Sequence, residues 1–140
     1  MAEARFKADM KVKEIMTKNP ATLAPDDTVG IAEHVMKFGG IRHLPVVHDG
    51  RVVGVVSQRD LFRAAVTNYK ETNGEASSRK NITAKELMSA PVITVSTEVD
   101  VREAARELME KRIGCLPVLE GESLIGLITK TDILRYVVER

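Results

Sequence analysis

Cysteine is nearly absent from this 140-residue chain, and that excludes one whole way of holding a small protein together. Cys115 stands alone, so no internal disulfide can form. Long apolar runs are missing too: none approaches the ~18 residues that a membrane-crossing helix needs. The first residues, MAEARFKADMKVKE, are polar and lack the apolar centre of a secretory signal. These absences lead us to expect a cytoplasmic protein. An excess of charge of one sign is also lacking. Lys and Arg number 21 against 20 Asp and Glu, leaving a net charge of +1. No global field therefore draws the chain to nucleic acid or to an anionic membrane. His34, His43, His48 and Cys115 show no zinc-motif spacing, so no metal site is expected. There is no Walker loop, no GxGxxG and no Ser-His-Asp ordering. Catalytic residues and a catalytic cofactor are accordingly not expected, and Cys115, just before Leu116-Pro117, reads as a small buried residue rather than a nucleophile.

What is present is ordinary in composition and unusual in order. Hydrophobic residues make up 44% and charged residues 29%, as in soluble globular proteins. A chain of this length makes one ordinary domain or two very small ones. The order is a repeat at a constant offset of 72 positions. Lys13, Glu14 and Met16 recur as Lys85, Glu86 and Met88. Ile41, Leu44, Pro45 and Val46 recur as Ile113, Leu116, Pro117 and Val118, and Gly54 and Asp60 as Gly126 and Asp132. Only Pro20 and Pro91 fall one position out of register.

Each copy has the same layout. A short helical turn (12–16, 84–88) leads to an extended piece around Thr22-Leu23 or Ile93-Thr94-Val95. An amphipathic helix follows, carrying Val29, Ala32 and Met36, or Val101, Ala104, Ala105, Leu108 and Met109. Core packing is the favoured reading of Met36 and Met109. Asp100 followed by Glu103 resembles a capping box. Two β-rich stretches come next, 44–48 and 52–57, with Asp49-Gly50 as the hairpin turn between them; their counterparts are 116–120 and 124–129. A last helix starts at Ser57 or Thr129. Residues 1–10 read as an extra helix or a disordered lead, and the polar stretch 68–83 as a flexible linker. The predicted fold is α/β (of the α+β kind): two tandem β-α-β-β-α repeats, 12–67 and 84–138, packed sheet to sheet with pseudo-twofold symmetry.

The stretches IRHLPVVHDGRVVGVVSQRDL and IGCLPVLEGESLIGLITKTDIL resemble the core of CBS domains, and the tandem arrangement resembles a stand-alone Bateman module. Both copies carry Gly-x-x-Ser/Thr-x-x-Asp: Gly54, Ser57 and Asp60, then Gly126, Thr129 and Asp132. Two readings of this motif stay open together. It caps a helix, with the acid complementing the helix dipole. It also suits a nucleotide: free N–H groups at a helix start take phosphate, and a carboxylate accepts both hydroxyls of a ribose.

The resemblance implies ribose held by Asp60 and Asp132, and phosphate met by Ser57, Arg59, Thr129, Lys130, Arg42 and His43. It implies an adenine pocket from Met16, Ala21, Ile41, Met88, Val92, Ile113, Gly114 and Cys115. One site would combine Ser57, Arg59 and Asp60 with Met88, Val92, Ile113, Gly114 and Cys115. The other would combine Thr129, Lys130 and Asp132 with Met16, Ala21, Ile41, Arg42 and His43, and would favour more phosphates. For each cation a solvated surface charge is the plainer reading, and core packing is that for Ile41, Ile113 and the methionines. The expected ligand is an adenosine-type nucleotide (AMP, ADP or ATP, or else NAD(H) or S-adenosylmethionine), its state transmitted to a regulated partner protein. The alternative is an interaction or oligomerisation module with vestigial pockets. A homodimer through helical residues is also expected, with Leu61, Phe62, Ala65, Leu134, Val137 and Val138 compatible with such a face and equally with packing inside the chain.

Overall fold

The computed structural model describes residues 10–72 and 82–139. The expectation for residues 1–9 and for linker positions 73–81 thus lies outside the described residues; positions 68–72, expected as linker, instead continue the helix Gln58–Thr72. After a 3-10 turn at Val12–Glu14 the elements run β1 (Thr17–Lys18), α1 (Val29–Gly39), β2 (His43–His48), β3 (Arg51–Ser57) and α2 (Gln58–Thr72). The second half runs α3 (Ala84–Leu87), β4 (Val95–Ser96), α4 (Val101–Lys111), β5 (Cys115–Glu120), β6 (Ser123–Thr129) and α5 (Lys130–Glu139). Two mixed α/β repeats of the expected layout are therefore present.

The chain condenses into two units, and their limits are not those of the repeats. One unit is Ala21–Val92; the other joins the described residues up to Pro20 with those from Ile93 onward. The lead-in segment of the first repeat is thus built into the unit of the second. There β1 pairs antiparallel with β6, Thr17 opposite Leu127 and Lys18 opposite Gly126. Val12 N–H donates to the Val99 carbonyl at 2.9 Å, and Val101 N–H to that of Met10 at 2.8 Å. Lys13 and Glu98 add a surface ion pair of 2.8 Å. The lead-in of the second repeat is built into the first unit in the same way. Val29 N–H donates to the Ile82 carbonyl, Ala84 N–H to that of Asp27, and Ser89 N–H to that of Val55, at 2.9, 2.7 and 2.9 Å.

Within Ala21–Val92 the stripe Val29, Ala32 and Met36 of α1 packs against Leu44, Val46 and Val56 of the hairpin and against Leu23, Leu61 and Ala84. In the other unit Val101, Ala104 and Leu108 of α4 meet Val12, Leu116, Val118, Ile128 and Tyr136. β2 and β3 form an antiparallel hairpin. Its turn residues Asp49 and Gly50 both take positive φ, 51° and 77°, the conformation that matches strand twist in a two-residue loop. β5 and β6 repeat the hairpin, and β4 adds to β5 in parallel, Val95 opposite Val118. In the first copy the equivalent contact is the single parallel bridge of Leu23 with Val46.

One further expectation is corrected. Met109 is not core: it is 75% exposed, because it follows Leu108 by one residue and so points about 100° away around the helix. Of the two readings open for Leu61 the packing one holds: it is buried in the first core, while Phe62, next to it, is exposed.

The helix ends expose a difference between the copies. α1 terminates at Gly40 in the left-handed region (φ 64°), where glycine has no steric cost. α4 terminates at the equivalent position on Arg112 (φ 54°), whose Cβ is strained there. Arg112→Gly is expected to raise stability by about 0.5–1 kcal/mol in urea unfolding, the relief being partly offset by the greater freedom of glycine in the unfolded chain. An unchanged or lowered midpoint would count against strain at this cap.

Candidate functional site

Both Gly-x-x-Ser/Thr-x-x-Asp motifs sit where a strand ends and a helix begins. At the first, Ser57 N–H donates to Asp60 Oδ2 at 2.8 Å and Asp60 N–H donates to Ser57 Oγ at 3.1 Å. At the second, Thr129 N–H donates to Asp132 Oδ2 at 2.9 Å and Asp132 N–H to Thr129 Oγ1 at 3.1 Å. The reciprocal capping box is therefore formed in both copies, each box holding one hydroxyl and one acid in fixed relation at the mouth of a helix. Such caps contribute on the order of 1 kcal/mol.

The acids differ in what else reaches them. The Asp132 side chain is only 4% exposed and its Oδ1 lies 3.3 Å from Arg135 Nη1. Thr17 Oγ1 donates to the same Oδ1 at 3.2 Å, from a residue 115 positions away. The Asp60 side chain is 12% exposed, and Arg63 Nη1 stays 3.9 Å off. A cavity of about 360 Å³ opens beside Asp60, walled by Arg63, Ala64, Glu86 and Leu87 among others. At the position equivalent to Ala64, the second copy carries Tyr136, which is buried in its core.

The motif glycines have a packing reason. A Cβ on Gly54 would overlap the Met88 side chain, and one on Gly126 would overlap that of Met16. Met88 is thereby laid against the strand leading to Ser57 and Asp60, and Met16 against the strand leading to Thr129 and Asp132. These are the pairings expected of the two methionines, with each acid's neighbour supplied by the other repeat's lead-in.

Strand register places other expected residues. His43 lies opposite Ser57, and Gln58 N–H donates to the Arg42 carbonyl at 2.8 Å. Arg42, His43, Ser57, Arg59 and Asp60 thus share one unit. Cys115 lies opposite Thr129, and Lys130 N–H donates to the Gly114 carbonyl at 3.3 Å. Gly114, Cys115, Thr129, Lys130 and Asp132 share the other. Ile41 packs on the first core and Ile113 on the second. Ala21 and Val92 are the two ends of the first unit. Thr17, Arg63 and Arg135 escaped the sequence reading. One signal was there: a hydroxyl follows the repeated methionine in both copies, Thr17 and Ser89.

A CBS-domain family model matches residues 12–67 and, again, residues 84–139. The chain belongs to the CBS domain family. Among its relatives is an inosine-5'-monophosphate dehydrogenase of Methanocaldococcus jannaschii, 33% identical over 94% of this chain and 24% of that protein. The chain spans about a quarter to a third of the length of the first curated relatives it matches. Two solved CBS structures resemble it closely. CBSX2 in complex with AMP is 26% identical with a TM-score of 0.77, covering 93% of this chain and 97% of that one. The CBS domain pair of protein MJ0100, in complex with 5'-methylthioadenosine and S-adenosyl-L-methionine, is 26% identical with a TM-score of 0.80, covering 93% and 97%.

Among the described residues of this CBS protein, no helix is long and apolar enough to cross a membrane, and no group of three or more His, Cys, Asp or Glu is gathered as metal ligands are. Cys115 is buried, and burial pushes its thiol up to about 12 from an ordinary value of 9.0. It remains a neutral thiol near neutral pH, a poor nucleophile. Above about pH 9 the unfolded chain loses this proton and the folded chain keeps it, so the unfolded state binds fewer protons and stability falls as pH rises. Urea midpoints measured between pH 8.5 and 10.5 are expected to drop more steeply for the natural protein than for Cys115→Ala. Equal slopes would show that Cys115 ionises as readily folded as unfolded.

Proposed function

We propose that this CBS protein is a regulatory module that binds adenosine-type nucleotides (AMP, ADP or ATP) at its two strand-to-helix junctions. The observation that carries this reading is that both junctions hold a hydroxyl and an acid in the same reciprocal geometry. Solved CBS structures of comparable similarity hold AMP, methylthioadenosine or S-adenosylmethionine. In this reading Asp60 and Asp132 accept the two ribose hydroxyls. Ser57, Thr129 and the first N–H groups of α2 and α5 face phosphate, where the helix dipole favours negative charge. Arg42, His43, Arg59 and Lys130 supply cationic or donor groups for it. Met16, Met88, Ala21, Ile41, Val92, Ile113, Gly114 and Cys115 supply apolar or small surface for the base. The ligand acts on a regulated partner through its differential affinity for two conformations. No acid, base or nucleophile is assigned to chemistry, so the role is recognition rather than catalysis.

A homodimer is part of the same reading. Phe62 is 71%, Leu134 64% and Val138 79% exposed, apolar side chains that a helical dimer interface would cover. Sedimentation equilibrium is expected to give twice the chain mass; a monomer at high micromolar concentration would remove this part.

The central test is calorimetric titration with AMP, ADP, ATP, NADH and S-adenosylmethionine, alongside thermal unfolding. A ligand at about 100 times its dissociation constant should stabilise the protein by about 2.7 kcal/mol. Asp60→Asn with Asp132→Asn keeps a capping side chain at each helix and removes the charge. It is expected to weaken nucleotide binding at least tenfold while the protein stays folded. Affinity unchanged by the double substitution, or no response to any of the five compounds, would leave the module as a ligand-free interaction scaffold.

A further inference from the structure

The two motif acids are unequal in their hydrogen bonding. Asp132 accepts from Thr129 N–H at 2.9 Å and from Thr129 Oγ1 at 3.0 Å, both on Oδ2. Its Oδ1 accepts from Thr17 Oγ1 at 3.2 Å and from Arg135 Nη1 at 3.3 Å. A carboxylate offers about four lone-pair positions, and four donors already fill them. Asp60 accepts from Ser57 N–H at 2.8 Å on Oδ2. On its Oδ1 it meets only Arg63, at 3.9 Å, among the described residues. Ser89 stands where Thr17 stands in the repeat, and its backbone pairs with Val55, the counterpart of Leu127. No hydrogen bond from its side chain reaches Asp60 among the described residues.

We propose that Thr17 is a built-in competitor for the ribose position at Asp132, so that the Asp60 site fills first and the Asp132 site second. The inference rests on the nucleotide reading above. A vicinal diol arriving at Asp132 brings two O–H donors to a carboxylate with no vacant acceptor position. One donor is fixed by the fold, because Thr129 N–H is backbone; the Thr129 hydroxyl keeps its oxygen on Asp132 N–H at 3.1 Å while its proton can turn to phosphate. On Oδ1 the half-exposed Arg135 side chain and Thr17 can both go, and the one supplied by a distant strand is Thr17. It lies on an exposed two-residue strand, and a rotation about one side-chain bond takes its hydroxyl to water. Binding at Asp132 therefore includes the loss of a hydrogen bond to a charged acceptor, and binding at Asp60 does not. Two chemically similar motifs thus gain different affinities from a residue that neither motif contains.

Calorimetric titration with AMP tests this on five variants of the full chain. Asp60→Asn isolates the Asp132 site and Asp132→Asn isolates the Asp60 site. In the Asp60→Asn background, Thr17→Val, which keeps the shape and removes the donor, is expected to tighten AMP about tenfold, the equivalent of one hydrogen bond to a charged group. Thr17→Ser in the same background is expected to restore the original affinity. In the Asp132→Asn background, Thr17→Val is expected to change AMP affinity less than twofold. Unchanged or weaker binding in Asp60→Asn with Thr17→Val overturns the competition, and weaker binding makes Thr17 a ligand contact instead. Failure of the underlying reading looks different: AMP then does not bind the natural protein, or binds it regardless of both acids, and the competition falls with it. Thermal unfolding of the Thr17→Val and Thr17→Ser variants confirms that each affinity is read on folded protein.

Discussion

Thr17 and Lys18 hydrogen-bond along Leu127 and Gly126, and the surroundings of Asp132 follow from that register. A strand of two residues has little stability of its own. Its place is fixed from both sides, by the 3-10 turn bonded to Val99 and by Met16 lying in the space that Gly126 leaves. Shifted by one residue, the strand would turn the Thr17 hydroxyl to the opposite face. The acid at the start of α5 would then be as open as the acid at the start of α2. The environment of a helix cap is thus set by a segment more than a hundred residues away in sequence.

The motif glycines belong to the same construction. Glycine inside a strand weakens it by leaving nothing to pack. Here Met88 and Met16 occupy the vacancy, so the loss is made up by a side chain from the lead-in segment. A larger residue at Gly54 or Gly126 would push out the methionine, and with it the segment that carries Ser89 or Thr17. The hydroxyl and acid caps then hold the helix starts on the strands that the glycines let the lead-ins approach. Packing and recognition use the same few residues, and that is why a capping role and a ligand role coexist at Asp60 and Asp132.

Much of this was legible in the chain because its signals are local. The offset of 72 located both repeats, and within them signals no longer than a dozen residues sufficed: apolar spacing found the buried face of α1, and Asp49-Gly50 fixed the first hairpin. The hydroxyl three residues before an acid marked both helix starts. The rest depends on contacts that leave no local trace. Nothing near Thr17 says that it meets Asp132, since their separation is 115 residues. Which lead-in completes which unit is likewise invisible to a periodic pattern, because the two lead-ins share the same Lys-Glu-x-Met signature and nothing local tells which hairpin each meets. Met109 failed for a narrower reason. It is one residue from the edge of its helix stripe, where a shift of about 100° separates core from water.

The exchange of lead-ins leaves each repeat incomplete alone. One copy has its hairpin and two helices but holds a lead-in that serves the other copy's sheet, so by itself it would be left with an open edge and a segment without a seat. Two copies satisfy each other. Carrying both in one chain makes the exchange intramolecular and independent of concentration. Cutting the present chain midway between its repeats would undo that, giving halves that each lack a piece of their own fold while carrying a piece of the other's.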